Sequence, residues 1–169
     1  VRKRVLFAVV VLVPVLFGCS NRGSDAAATG PYSCNDKQFV ADQIEFAQGS
    51  ISADRFVDVC GRVTSVRAAR SSRSGRHGYF YLAIPGSSSP RGIEVVANLD
   101  AMARARSGDP PAWPWVAPGE YVYVQGRYYY DSSRRQGIDW TEDDTSNSWP
   151  HAGYVAVCNA SGGNCTLYQ

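Results

Sequence analysis

From Arg55 onward, apolar and aromatic residues return at every second position in short runs broken by Gly, Pro, Ser and Asp. Half-buried β-strands need that period, and helices do not tolerate it. Phe56 to Val66 alternates, with Gly61 as an interruption that suits a bulge or corner. Tyr79 to Ile84 sets Phe80, Leu82 and Ile84 on one face and Tyr79 and Tyr81 on the other. Ile93 to Leu99, the aromatic run Glu120 to Asp131, and Gly137 to Thr141 make three more strands. Asp100 to Arg106 reads as a short helix, and Asp109 to Gly119 as a Pro/Trp loop whose Trp113-Pro114-Trp115 serves packing or, if exposed, a protein contact. Before the strands, Asn35 or Asp36 caps a helix running to about Gln48, with Val40, Ile44 and Ala47 as its stripe and Phe39 beside it. Arg67 to Gly78 and Pro85 to Gly92 read as loops. Three strands, a short helix and two strands is the order of an OB-like five-stranded barrel, here with an N-terminal helix added. Closure of such a barrel places Gly61 and Gly126 at its bent corners. A small β-sandwich and an open α+β sheet also fit the pattern.

The first 18 residues predict a lipoprotein signal peptide: the cations Arg2-Lys3-Arg4, the apolar run Val5 to Phe17, then Gly18. Those 13 apolar residues, interrupted by Pro14, are too few for a bilayer span of about 20 residues. Leu16-Phe17-Gly18-Cys19 resembles the bacterial lipobox, which makes Cys19 the expected site of acylation (palmitate) and the mature N-terminus. Residues 19–33 then form a polar tether and 34–169 one folded domain. The expected location is the cell envelope, anchored by lipid, on the periplasmic side of the outer membrane if the cell has two.

Cys34, Cys60, Cys158 and Cys165 remain after lipidation, and an even number in an exported chain predicts two disulfides. Three pairings are open. The turn-rich Asn159–Asn164 segment favours Cys158 with Cys165, leaving Cys34 to staple the first helix to Cys60. No Cys-x-x-Cys pair supports the rival zinc site. Without the leader's three cations, 17 basic residues become 14 against 15 acidic ones. That balance excludes a strongly cationic nucleic-acid coat and leaves room for a local basic patch.

Arg62, Arg67, Arg70, Arg73 and Arg76 occur with no acid between Asp58 and Glu94. In an OB-like barrel the last four lie between the first two strands, beside the groove, where outward Tyr79 and Tyr81 offer flat contact area. Asp139, Glu142, Asp143 and Asp144, followed by Thr145-Ser146-Asn147, gather oxygens at the end of the fifth strand. A divalent cation such as Ca²⁺ or Mg²⁺ is the one cofactor this cluster offers, although its spacing is not that of an EF-hand. His77 and His151 are the only histidines; either could pair with Asp139 in acid–base or metal chemistry, or be a hydrogen-bonded structural residue. There is no nucleophile elbow and no phosphate-binding Gly-rich loop.

In order along the chain stand Gly61-Arg62-Val63, Gly75-Arg76-His77 before Tyr79-Phe80-Tyr81, and Ala97-Asn98-Leu99-Asp100. Gly126-Arg127-Tyr128, Gly137-Ile138-Asp139-Trp140-Thr141-Glu142, His151-Ala152-Gly153-Tyr154-Val155 and Tyr168-Gln169 follow. This succession, from about Asp36 to Gln169, resembles a family of small exported bacterial OB-like domains of unknown function. Its pattern has histidines where this chain has Ala97, Asp139 and Glu142. The resemblance therefore implies a fold and a site neighbourhood, and any soft-metal site built on those histidines is not reproduced here. Three functions stay open: a non-enzymatic binder of an anionic ligand or protein, a metal-assisted hydrolase using Asp139 and Glu142 with His77 or His151, and an extracytoplasmic single-strand nucleic-acid binder. The first leads because no convincing catalytic set is present. Nucleic acid is disfavoured by the compartment and the charge.

Overall fold

The structure, a computed structural model, describes residues 32–105, 112–143 and 150–169. The predicted leader, Cys19, most of the tether, and the acidic loop from Asp144 to Asn147 lie outside the described residues. The element order is α1 (Asp36–Ala47), β1 (Arg55–Ser72), β2 (Gly75–Ala83), β3 (Ile93–Asn98), α2 (Leu99–Ala105), β4 (Tyr121–Ser132), β5 (Arg135–Asp139), β6 (Tyr154–Cys158) and β7 (Thr166–Tyr168). Strands pair in the order β1-β2-β3-β5-β4, and β4 pairs again with β1, closing a ring of five. Only β3 and β5 run parallel within that ring. This is the OB-like barrel, with both helices where the sequence puts them.

The ring closes because β1 is long enough to serve two partners. Arg55 to Arg62 pairs with β4, and Arg62 to Ser72 pairs with β2. At the changeover the backbone of Gly61 passes so close to the Ala83 carbonyl that any side chain would collide with it. Gly126 presses likewise on the Asp139 carbonyl. Inward residues Val57, Val59, Phe80, Leu82, Ile93, Val95, Val122, Val124 and Ile138 fill the barrel. At one end α1 lays Phe39 and Phe46 against the Tyr128 ring, at 4.7 and 5.4 Å between centroids. At the other end Leu99 and Met102 of α2 pack with Trp113 and Trp115. The two tryptophans thus serve packing, as their loop predicts, and Trp115 also stacks on Tyr168 at 4.0 Å.

Three sequence expectations are corrected. The buried stripe of α1 is Phe39, Asp42, Gln43 and Phe46, while Ile44 is exposed. The helix turns this way because Gln43 finds buried partners: its amide donates to Gln136 Oε1 at 2.7 Å, and its Oε1 accepts from the Ser88 backbone at 2.9 Å. A hydrogen-bonded glutamine competes well for an interior place that pattern reading assigns to isoleucine. Second, Arg67 to Gly78 is not a loop but a β-hairpin arm, with Arg67 opposite Tyr79, Arg70 opposite His77 and Ser71 opposite Arg76. Projecting beyond the barrel, the arm wets both faces and shows no apolar alternation. Third, β6 and β7 extend the sheet from β4 outside the ring; β6 is buried along nearly its whole length, so it too lacks alternation. The disulfides are Cys34–Cys60 and Cys158–Cys165. Asn35 caps α1, accepting from the Gln38 backbone at 3.3 Å.

Candidate functional site: a groove across the outer barrel face

Outward residues of β2, β3, β5 and β4 stand in rows fixed by strand register. Tyr81 lies opposite Glu94, Glu94 opposite Gly137, and Gly137 opposite Tyr129. One step along, Tyr79 faces Val96 and Asp139 faces Arg127. Gly137 leaves room for the Tyr129 ring, because a side chain there would strike the Tyr129 hydroxyl and the Glu94 carbonyl. The Glu94 carboxylate therefore sits between two phenols, accepting from Tyr81 at 2.7 Å and from Tyr129 at 3.5 Å. Burial and that nearby negative charge hold both phenols above their ordinary pKa.

These rows floor an open groove of about 560 Å³, flanked by the two hairpin tips: Ser72 and Ser74 of β1–β2, Asp131 and Arg135 of β4–β5. Flanking hairpins and an outer strand face are where OB-like barrels take their ligands. A second recess of about 400 Å³ shares Glu94, Tyr129 and Arg135 with it and adds Tyr81, Arg91 and Arg134. A third, of about 160 Å³, shares Ser74, His77, Val96 and Asp139 and ends at Asn98, Trp140 and Glu142.

The floor is charged but neutralised from within. Arg127 grips Asp139 with two bonds, Nε to Oδ1 at 2.7 Å and Nη2 to Oδ2 at 2.6 Å, and reaches Asp54 at 3.0 Å. Its guanidinium also lies 3.9 Å from the Trp140 ring centroid. The hydrogen bonds to Asp139 raise the Arg127 pKa further and keep it charged. Trp140 holds the left-handed conformation (φ 50°) that a bulky side chain rarely adopts, which places its ring under Arg127 at the end of β5. Arg67, on β1, lies over the Tyr81 ring at 4.7 Å and within 3.7 Å of Glu94.

The rims differ. Arg70, Arg73 and Arg76 are exposed on the β1–β2 arm and form no ion pair among the described residues. Arg134 is exposed on the β4–β5 tip beside Arg135, whose pair with Asp131 at 3.0 Å is solvent-exposed and weak. Arg91 adds a third cation on the β2–β3 turn.

His77, Tyr79 and Asp139 are brought into the one groove, and Glu142 lines the small recess that adjoins it. His151 is not part of it: its ring stacks on Phe56 at 4.4 Å. Asp143 is exposed beyond Glu142. Among the described residues the one group of three potential metal ligands is Cys34, Asp36 and Cys60, whose sulfurs are joined in a disulfide. Asp139 and Glu142 with a histidine form no such group. Glu94, Arg127, Tyr129, Arg91, Arg134 and Arg135 were not singled out from the sequence. The alternation that turned Tyr79 and Tyr81 outward would have found Glu94 and Tyr129; the Arg127–Asp139 pairing needed the register. No protein-family model, curated protein or solved structure matches this chain.

Proposed function

We propose that this chain is a lipid-anchored envelope module that binds an anionic ligand, without catalysis, across the groove between its two hairpin tips. The observation that carries the reading is the split of charge between rim and floor. Floor charges already have partners, so a ligand meets little unsatisfied charge there. The rim arginines Arg70, Arg73, Arg76, Arg91 and Arg134 are exposed on either side and can attract and clamp anionic groups by charge-assisted bonds. The hydrolase reading finds less support, because Arg127 already holds both oxygens of Asp139. Base stacking finds less too, because Arg67 covers Tyr81.

Retention on heparin tests it. Arg73→Glu and Arg134→Glu should each elute at lower salt than wild type, while Lys37→Glu, the same charge change on α1, should elute close to it. Equal loss from all three would reduce the effect to net charge. For the anchor, Cys19→Ala should abolish incorporation of radiolabelled fatty acid, and label persisting in the variant would reject the lipobox assignment.

A further inference from the structure

The small recess adjoining the groove contains a group whose bonding is incomplete. Glu142 is only 5% exposed, and its Oε2 has no hydrogen-bond partner among the described residues. What hydrogen bonding the carboxylate has comes from the Asn98 side chain and the backbone N–H groups of Thr141 and Glu142. The Asn98 amide cannot turn to offer more, since its Oδ1 accepts from the Ala101 backbone at 3.1 Å. Nor can Glu142 easily swing out. Thr141 is fully buried and donates to the Val96 carbonyl at 3.1 Å, while the Glu142 carbonyl accepts from Gly153 at 2.9 Å. An orphaned buried carboxylate oxygen is costly, and such a group calls for a hydrogen-bond partner.

The cavity it lines, about 160 Å³, is walled by Val96 and Trp140 and carries Ser74 and His77. A metal ion is a poorer fit, because Glu142 belongs to no group of three His, Cys, Asp or Glu ligand atoms among the described residues. A phosphate or carboxylate would be repelled. A primary ammonium group suits it: one N–H for Oε2, with the Ser74 hydroxyl and the His77 ring as further acceptors lining the same cavity and the Trp140 ring in its wall.

We propose that the Glu142 cavity is a subsite for a primary ammonium group, so that the ligand carries an amine as well as its anionic groups. This rests on the groove being the ligand face. The amine could belong to a lipid headgroup, an amino sugar or a lysine side chain; all three present the same cation.

The probe is ethylammonium chloride, titrated into the folded domain and followed by two-dimensional NMR, with ethanol as the neutral isostere and sodium chloride matching ionic strength. Saturating shifts of the Asn98 side-chain amide and the Trp140 indole are expected with ethylammonium alone. Glu142→Gln should weaken the binding at least tenfold. Ser74→Trp, an exposed turn substitution that blocks the mouth without touching the core, should abolish it. No saturating shift, an equal shift with ethanol, or a shift unchanged in Glu142→Gln overturns the proposal. So does Ca²⁺ or Mg²⁺ moving the same resonances in place of ethylammonium. Because the probe carries no anionic group, failure here leaves the heparin result standing, and the reverse also holds. Phosphoethanolamine, glucosamine and Nα-acetyl-lysine amide, compared in the same titration, then rank the three sources.

Discussion

Asp139 illustrates how register changes the meaning of a residue. Alone in the sequence it is a carboxylate near other carboxylates; opposite Arg127 it is half of a two-bond ion pair on the groove floor. Removing it leaves a guanidinium about one-fifth exposed with Asp54 as its only carboxylate among the described residues, beside the Trp140 ring. Asp139→Ala should therefore lower stability by about 2 kcal/mol, within the range for hydrogen bonds to charged groups. The loss should be the same with or without Ca²⁺ and Mg²⁺. A melting midpoint that rises with either ion in wild type and not in the variant would restore the metal reading. Glu142 behaves differently. Burial raises its carboxyl pKa above the ordinary 4.5, as burial also raises Asp36. An acid with a raised folded pKa favours folding in its protonated form. Its contribution is complete below the unfolded pKa and is lost as pH rises through the folded value. Denaturant titrations from pH 4 upward should show unfolding free energy falling less steeply with pH in Glu142→Gln than in wild type. Identical pH profiles would mean Glu142 is solvated.

At the scale of elements, the disulfides divide the work unequally. Cys34–Cys60 spans 26 residues and ties α1 to β1; Cys158–Cys165 spans 7 and closes the β6–β7 turn. Loop-closure entropy gives about 3.5 kcal/mol for the longer span and about 2.4 for the shorter. Cys34→Ala/Cys60→Ala should thus lose more stability in urea than Cys158→Ala/Cys165→Ala, and the opposite order would show that β6–β7 supports the barrel more than its connectivity suggests. The strands of the ring were legible because Phe80-x-Leu82 and Ile93-x-Val95 each bury one face of a two-faced strand. Three things were hidden for physical reasons. The β1–β2 arm has little core to face, β6 has almost no solvent to face, and α1 buries a glutamine satisfied by distant Gln136, Ser87 and Ser88. The groove was half legible: Tyr79, His77 and the arginine arm follow from the sequence, but Arg127 beside Asp139 is a tertiary fact.

For the molecule as a whole, the barrel separates the disulfide-stapled side from the groove proposed to meet a ligand. Both disulfides lie in the aromatic cluster around Tyr123 and Ala156, packed on β4 and β6. The groove lies across β2, β3, β5 and the outward residues of β4. Such a division lets the rim arginines vary in response to a ligand without disturbing the staples. The claim that the groove is the binding face is tested most directly by mapping backbone amide shifts in the folded domain as a heparin-derived oligosaccharide is added. The account predicts shifts concentrated in residues 70–77 and 132–135, continuing through Tyr81, Glu94 and Tyr129, with α1 and β6–β7 unmoved. Shifts centred on α1 or on β6–β7, or none at all, would contradict it.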